Sequence, residues 1–448
     1  MSNITLEVFD NRIGVATIDM PNRPFNVFSE EMMSDLESVV MQACAELQGL
    51  VISSGKRSFL AGADLVMIKD FARMRFDADR AEMKRRFSRL GRLFRSIEQS
   101  PIPIVAAVNG LALGGGLEVA MACHARVCID VDAPILGLPE IKLGLLPGAG
   151  GTQRLPRIVG VERGLQMLLA GDPVTPADAL NIGLVDRVVA ASELVGEAVK
   201  LAGTIAPRAR WDEPGWSPAE SDLALARSDE LAQLCVQWGG WATKQHDLYP
   251  AVDSIVRCVS EGFALSIDDG SEVEWDIFVD LMSDPVAANM VVTSFLNKGS
   301  ADAEGSDTLR DELATIIATE LKSSDVAPAL LGAALRAVDA LGLAKKVGVD
   351  LHLSDEDCTS EDRVVGFELL GRIACAVLQK CDSPYEVIDA LSVLKLRWPA
   401  WTGGPAAFLA MIQRDELGGW EPSAKLSGAL SSIDHDLKIK ASYSSRAS

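Results

Sequence analysis

Histidine is scarce in this chain: His124, His246, His352 and His435 are scattered without metal-ligand spacing, so a zinc-type centre is not expected. The eight cysteines contain no CxxC pair, too sparse a set for a disulfide scaffold, and Cys123 and Cys128 on either side of His124 read as buried thiols rather than metal or redox groups. No GxSxG occurs, which removes the usual serine-hydrolase elbow, and there is no P-loop and no complete GxGxxG. Positive charge is also short. Against 63 Asp and Glu stand 42 Lys and Arg, a formal net charge of -21, which argues against a protein that tracks nucleic acid or coats an anionic membrane. The longest uncharged run, residues 101–117, is interrupted by Pro, Asn and Gly and is too short and broken to span a bilayer. Residues 1–15 carry acids and Asn where a signal peptide has a basic start and an apolar run, so a reducing cytoplasm is the expected location.

The 448 residues allow about three domains. All eight Trp and all three Tyr fall after residue 200, which implies two differently built cores. Residues 206–222 hold Pro207, Pro214 and Pro218 and read as a linker; 299–307 (GSADAEGSD) has the same character. The division expected is therefore 1–205, a linker region 206–307 that is partly helical, and 308–448. In the first part, ITLEVFD and RIGVATIDM form a hairpin about Asp10-Asn11, and Ser29 opens a helix with Met32, Met33, Leu36, Val39 and Val40 on one face. Further strands are expected at 49–54, 103–108, 125–130 and 184–190, an α/β arrangement with largely parallel pairing. After residue 308 the apolar periodicity is helical, as in Leu309, Leu313, Ile316, Ile317 and Leu321.

Three segments could carry chemistry. In GGGLEVAMAC, Gly114, Gly115 and Gly116 stand at the start of a helix, where free N–H groups and the helix dipole can receive an oxyanion or phosphate. Glu118 follows as the only charged residue between Glu98 and Arg126. Burial there would raise its pKa toward that of a general acid or base, whereas an exposed helix face would leave it ordinary. In SFLAGADL (58–65), Ala61-Gly62-Ala63 offers a second loop with unblocked amides. In LGLPEIKLGLLPGAGGTQRLP (136–156), Glu140 lies in a turn after Pro139 and a glycine-rich loop leads into a helix. Its GAGGTQ only superficially resembles a dinucleotide fingerprint, because the last glycine is missing.

Together these segments resemble the crotonase (enoyl-CoA hydratase/isomerase) superfamily across residues 1–205. VNGLALGGGLEVAMACHARV and LGLPEIKLGLLPGAGGTQRLPRIVG are most similar to the hydratase part of bacterial multifunctional fatty-acid oxidation proteins. Residues 249–298 look like the linker of those proteins, and 361–412, with RWPAWTGGPAAF, resemble the C-terminal helical domain of 3-hydroxyacyl-CoA dehydrogenases. The dinucleotide-binding module that stands between these parts in the family is not seen in this sequence. The resemblance implies a ClpP/crotonase-like ββα spiral fold followed by a mostly α-helical C-terminal region.

It also implies roles. The N–H groups of Ala63 and Gly115 form an oxyanion hole for a thioester carbonyl, and Glu118 and Glu140 are the two glutamates of a hydratase. Lys56 and Arg57 meet the CoA phosphates, while backbone near Asn26 and the loop holding Ala61 and Asp64 grips adenine and pantetheine. A lysine that some hydratases carry three residues after the hole amide is Val66 here. The activity implied is hydration of a trans-2-enoyl-CoA, with a CoA thioester as substrate and neither NAD nor metal as cofactor. Δ3-Δ2 enoyl-CoA isomerisation, which needs one glutamate, is the alternative within the fold. A reading of another class makes the chain an acyl-CoA-binding scaffold that docks a thiolase-like partner through the Trp-rich helical part. Free-standing members of the family trimerise and multifunctional ones cover that surface internally, so a homo-oligomer and a self-contained chain both stay open.

Overall fold

The computed structural model describes residues 3–9, 11–64, 66–68, 70–71, 74, 78–229, 231, 234–235, 248–293, 301–302, 306–349, 351, 358–381, 383–417 and 420–440. His246, His352, the side chain of His435, much of the 299–307 stretch and several positions of the 65–77 segment lie outside them. The chain divides into two compact units, Met1–Trp241 with Ala251–Leu281, and Ala242–Pro250 with Met282–Ser448.

The first unit is built on a six-stranded sheet in the order β1-β2-β3-β4-β6-β8: Ile4–Val8, Ile13–Ile18, Gly49–Ser54, Ile104–Val108, Ala125–Ile129 and Arg187–Val189. β1 and β2 are the expected hairpin, antiparallel with Ile4 opposite Ile18, and every later pairing is parallel. β3, β4 and β6 are buried at every position, which is why GLVISS, IVAAV and ARVCI are written as runs rather than alternations. Edge strand β1 keeps only Ile4 fully inside. The helix Glu30–Glu46 begins where Ser29 accepts the Met32 N–H and buries Met32, Met33, Leu36 and Val40. A second, two-stranded sheet pairs β5 (Ala112–Leu113) with β7 (Leu136–Gly137) in parallel.

The expected boundary at 205 does not hold as a limit of the first unit. Helices Pro250–Gly262 and Ile267–Ser283 contribute to it through residues 251–281, so the region expected as a linker is divided between the two units. Buried chemistry is the reason. Arg157 donates to the carbonyls of Gly262, Phe263 and Leu265, and Gly262 and Gly270 leave room for the Gln153 side chain. Outside this core, Arg80, Lys84, Arg92 and Arg95 of helix Arg80–Glu98 pair with Asp268, Glu272, Asp276 and Asp280. Each exposed pair contributes at most about 1 kcal/mol, but together they fix which helix lies beside which.

The second unit is helical among its described residues: Pro285–Val291, Ser306–Lys322, Pro328–Ala337, Leu341–Lys346, Ser360–Lys380, Tyr385–Leu396, Pro405–Gln413 and Ala424–Lys440. Thr359 and Asp362 form a capping box at the start of Ser360–Lys380. The core gathers Phe367, Trp401 and Phe408 ring to ring, and the indole N–H groups of Trp398 and Trp401 are satisfied by Thr402 Oγ1 and the Val338 carbonyl. Every described Trp in the chain is buried or half-buried. Trp238 and Trp241 lie outside the described residues.

Asp389 is fully buried and accepts the N–H groups of Ala406 and Ala407 at the head of Pro405–Gln413. Asp389→Ala should destabilise the chain by about 2–3 kcal/mol, because it removes charge-assisted bonds and leaves buried donors unpaired. Urea unfolding followed by Trp fluorescence measures this, and an unchanged midpoint would contradict it.

Candidate active site

The two-stranded sheet brings distant sequence motifs together. β5 runs directly into Gly114 and β7 runs directly into Leu138-Pro139-Glu140, and Gly114 N–H donates to the Gly137 carbonyl at 2.9 Å. Gly114 has φ 55° and ψ −127°, a conformation for glycine, and a methyl there would stand 2.5 Å from Glu140 Oε1. The close approach of Glu140 to the glycine turn therefore requires glycine at this position.

Glu118 lies in the helix Gly115–Ala122 that starts from this turn, and it is 2% exposed, which overturns the exposed-face reading. Its Oε1 accepts the N–H groups of Ala149 at 2.9 Å and Gly151 at 2.8 Å. The glycine-rich loop thus donates two of its amides to a carboxylate. It is the head of helix Gly151–Val159, whose N-cap Gly150 has no side chain to satisfy the orphan donors. Burial pushes the Glu118 pKa up to about 7, opposed by its two amide bonds and by Arg154.

Glu140 opens the short 3₁₀ turn Glu140–Leu143. Although the residue as a whole is half-buried, its Oε2 is closed off from solvent and has no hydrogen-bond partner among the described residues. Burial first, and then the negative charge of Glu118, raise its pKa well above the usual carboxylate range. The two glutamates therefore differ: one is held by two amides of a distant loop, the other sits beside negative charge with only its own backbone N–H as a donor and its Oε2 unpartnered.

Next to them lies the second loop. Phe28 N–H donates to the Gly62 carbonyl and the Asp64 N–H donates to the Phe28 carbonyl, both at 2.9 Å, so Ala63 turns its own N–H away from Phe28. Neither this N–H nor that of Gly115, the first residue of its helix, has a partner among the described residues. A methyl built on Gly62 would lie 4.0 Å from Gly115 N, so the two donor-bearing segments are neighbours.

The residues expected to meet CoA divide differently. The Lys56 Nζ pairs with Asp19 at 2.8 Å and donates to the Met20 carbonyl at 2.8 Å, so it fastens two loops together. The Asn26 side chain is fully buried, accepting from Met20 N–H and donating to the Ile18 carbonyl and Ser54 Oγ, while the Asn26 backbone carbonyl accepts the Ala61 N–H. Asp64 is buried, pairs with Arg23 at 2.6 Å and accepts the Val66 N–H. These groups shape the loop. Arg57 is exposed and has no ion pair among the described residues, which leaves it available to an anion; Val66 is exposed as well.

Sequence reasoning missed Glu274. From helix Ile267–Ser283 it reaches the same helix head, Oε1 accepting the Gly150 N–H at 2.7 Å and Oε2 accepting the Thr152 N–H at 3.1 Å and the Thr152 hydroxyl. Burial, then repulsion by Glu118, bring its pKa up to about 8. The available signal is helical phase. Gly270, Ser271, Glu274 and Phe278 share one buried face, whereas Glu272 and Asp276 face cations. Arg154, also unremarked, is fully buried between Glu98, which it meets through Nε at 2.6 Å and Nη2 at 3.1 Å, and the Ala149 carbonyl.

The other unusual spot is inert. His124 Nδ1 accepts the Ile104 N–H and Nε2 contacts the Glu98 carbonyl, burial lowers its pKa, and burial drives the thiols of Cys123 and Cys128 up to about 12. Among the described residues no group of three or more His, Cys, Asp and Glu converges as a metal site.

Residues 10–211 match the family model for enoyl-CoA hydratase/isomerase. This part of the chain is a crotonase-family domain. Curated relatives include the fatty acid oxidation complex subunit alpha of Shewanella loihica, 41% identical over 287 residues that make up 62% of this chain and 39% of the relative. The protein of the same description from Idiomarina loihiensis is 36% identical over 318 residues, 69% of this chain and 43% of the relative. The chain thus spans less than half the length of the curated relatives it matches. Among solved structures, an enoyl-CoA hydratase from Bacillus anthracis aligns with 62% of this chain and 89% of its own at 25% identity and a TM-score of 0.40. Glu274, which meets the same loop as Glu118, lies outside the matched segment.

Gly114→Ala should destabilise the crotonase domain by about 1–3 kcal/mol through its backbone conformation alone. Thermal or denaturant unfolding checks this, and wild-type stability in the variant would count against the conformational requirement.

Proposed function

We propose that the chain is an enoyl-CoA hydratase that adds water syn across the double bond of a trans-2-enoyl-CoA to give a 3-hydroxyacyl-CoA. The observation that carries the reading is the pair of buried glutamates with unlike surroundings beside two unpaired amides. Two carboxyl groups whose environments push their protonation apart suit one base and one acid. Glu118, whose carboxylate accepts two amide N–H groups, suits the ionised base. It takes a proton from water as the oxygen attacks C3. Glu140, kept protonated by burial and neighbouring charge, delivers its proton to C2. Charge that develops on the thioester oxygen is received by the N–H groups of Ala63 and Gly115, each such donor being worth about 10²–10³ in rate. The extra proton then leaves Glu118 and one returns to Glu140, directly or through solvent, before the next turnover.

Arg57 supplies the cation for a CoA phosphate in this reading, and Lys56, Asn26, Ala61 and Asp64 hold the loop that receives the nucleotide and pantetheine. The relatives named as subunits of a fatty acid oxidation complex support acyl-CoA breakdown as the setting. The reading assigns no step to NAD and none to a metal. Among the described residues no helix is long and apolar enough to cross a membrane.

Purified chain should hydrate crotonyl-CoA or a longer 2-enoyl-CoA, seen as loss of the conjugated thioester absorbance. No turnover at any chain length would end the reading. Turnover of a 3-enoyl-CoA without hydration would turn it into an isomerase. Glu118→Gln and Glu140→Gln should each lower kcat by about 10²–10⁴.

The pH dependence of kcat/KM should be bell-shaped, with an acid limb near pH 7 as Glu118 ionises and an alkaline limb as Glu140, whose pKa is raised by burial and by Glu118, loses its proton. Because the pair interacts, the limbs belong to both carboxyls jointly. A flat profile between pH 6 and 9, a range set about the Glu118 value, would contradict this assignment.

A further inference from the structure

We infer that Glu274, supplied by a helix outside the family-matched segment, is a positioning residue for the hydration site that holds the Ala149–Thr152 loop in the geometry that fixes Glu118. The inference deepens the hydratase reading and rests on it.

Four successive amides at the head of Gly151–Val159 are taken alternately. Those of Ala149 and Gly151 go to Glu118, and those of Gly150 and Thr152 go to Glu274. Alternation follows from backbone geometry, since neighbouring peptide N–H groups in this loop point to different sides. Gly150 takes φ 100°, which leaves the loop little intrinsic preference for the one conformation that offers both pairs of donors. A carboxylate that grips one pair from behind removes that freedom and so sets the direction of the pair that meets Glu118. The Thr152 hydroxyl adds a third bond on the Glu274 side.

The charged and titratable groups around Glu274 are Glu118, Glu140, Arg154, Arg157, Glu98 and Cys258. Its negative charge opposes ionisation of Glu140. Neutralising it eases that ionisation, lowers the Glu140 pKa and so moves the alkaline limb of the rate profile to lower pH. A residue that served stability alone would not move that limb.

The test is steady-state hydration by the full chain and by Glu274→Gln, which keeps the shape but turns one acceptor into a donor facing a backbone N–H. Expected are a fall in kcat of about tenfold or more, since sub-ångström misplacement of a reacting group is costly, a KM within about twofold, and the alkaline limb displaced to lower pH. A folded Glu274→Gln with wild-type kcat and an unmoved limb would overturn the inference. If that variant does not fold, Thr152→Val decides, because it removes the hydroxyl bond to Glu274, together with the contacts of that hydroxyl to Gln153 and Cys258, and leaves the loop amides in place: a several-fold lower kcat at unchanged KM supports the inference, and wild-type kcat overturns it. Wild-type chain that hydrates no 2-enoyl-CoA sinks the hydratase reading and this inference with it, whereas an active wild type with an indifferent Glu274→Gln sinks the inference alone.

Discussion

Backbone donors at a helix start have no partner inside the helix, and in a dry interior each one left unmet costs about 1–3 kcal/mol. The head of Gly151–Val159 presents four in succession, capped by a glycine that offers nothing of its own. Two buried carboxylates from two other helices meet that demand. Much of the first unit follows from this arrangement. It fixes Glu118, it draws helix Ile267–Ser283 into the domain, and it places Arg154 of the same helix against Glu98, which ties in helix Arg80–Glu98.

The charge pattern takes its sense from the same place. Glu118, Glu140 and Glu274 crowd a small dry volume, so each makes ionisation of the others harder, and Arg154 is the buried cation that partly balances them. An acidic chain with few cations spends them selectively. Arg154 and Arg157 lie inside, the basic face of Arg80–Glu98 meets the acids of Ile267–Ser283, and Arg57 stays at the surface. Backbone amides at Ala63 and Gly115 are left without partners among the described residues, so anion-directed donors remain in a chain of net charge -21 without further cations.

Most of the strand architecture was legible from pattern. Continuous apolar runs marked the doubly covered parallel strands, the Asp10-Asn11 turn marked the hairpin, and Ser29 marked a helix start. The glycine turn before Gly115 and the acid Glu118 in an apolar run were visible as local features, whereas the grouping of Glu118, Glu140, Ala63 and Gly115 was expected from the family resemblance. Residues that act through long-range burial were not. Glu274 stands among acids that face solvent and cations, and only its helical phase separates it from them. Lys56, Asn26 and Asp64 were expected to meet the ligand, yet their side chains are consumed by Asp19, Met20, Ile18, Ser54, Arg23 and Val66.

What the sequence determined by itself is whatever depends on near neighbours along the chain: hairpin, helix starts, glycine turns, and the presence of a carboxylate where apolar residues surround it. Only the tertiary structure decided which amides Glu118 would meet, that Glu274 would come from beyond residue 211 to take the alternate ones, and that the first unit would reach residue 281. The physical reason is that a buried charge is acceptable only with partners. Those partners lie about 30 and 120 residues away, as in Ala149 to Glu118 and Thr152 to Glu274, where no local pattern can name them.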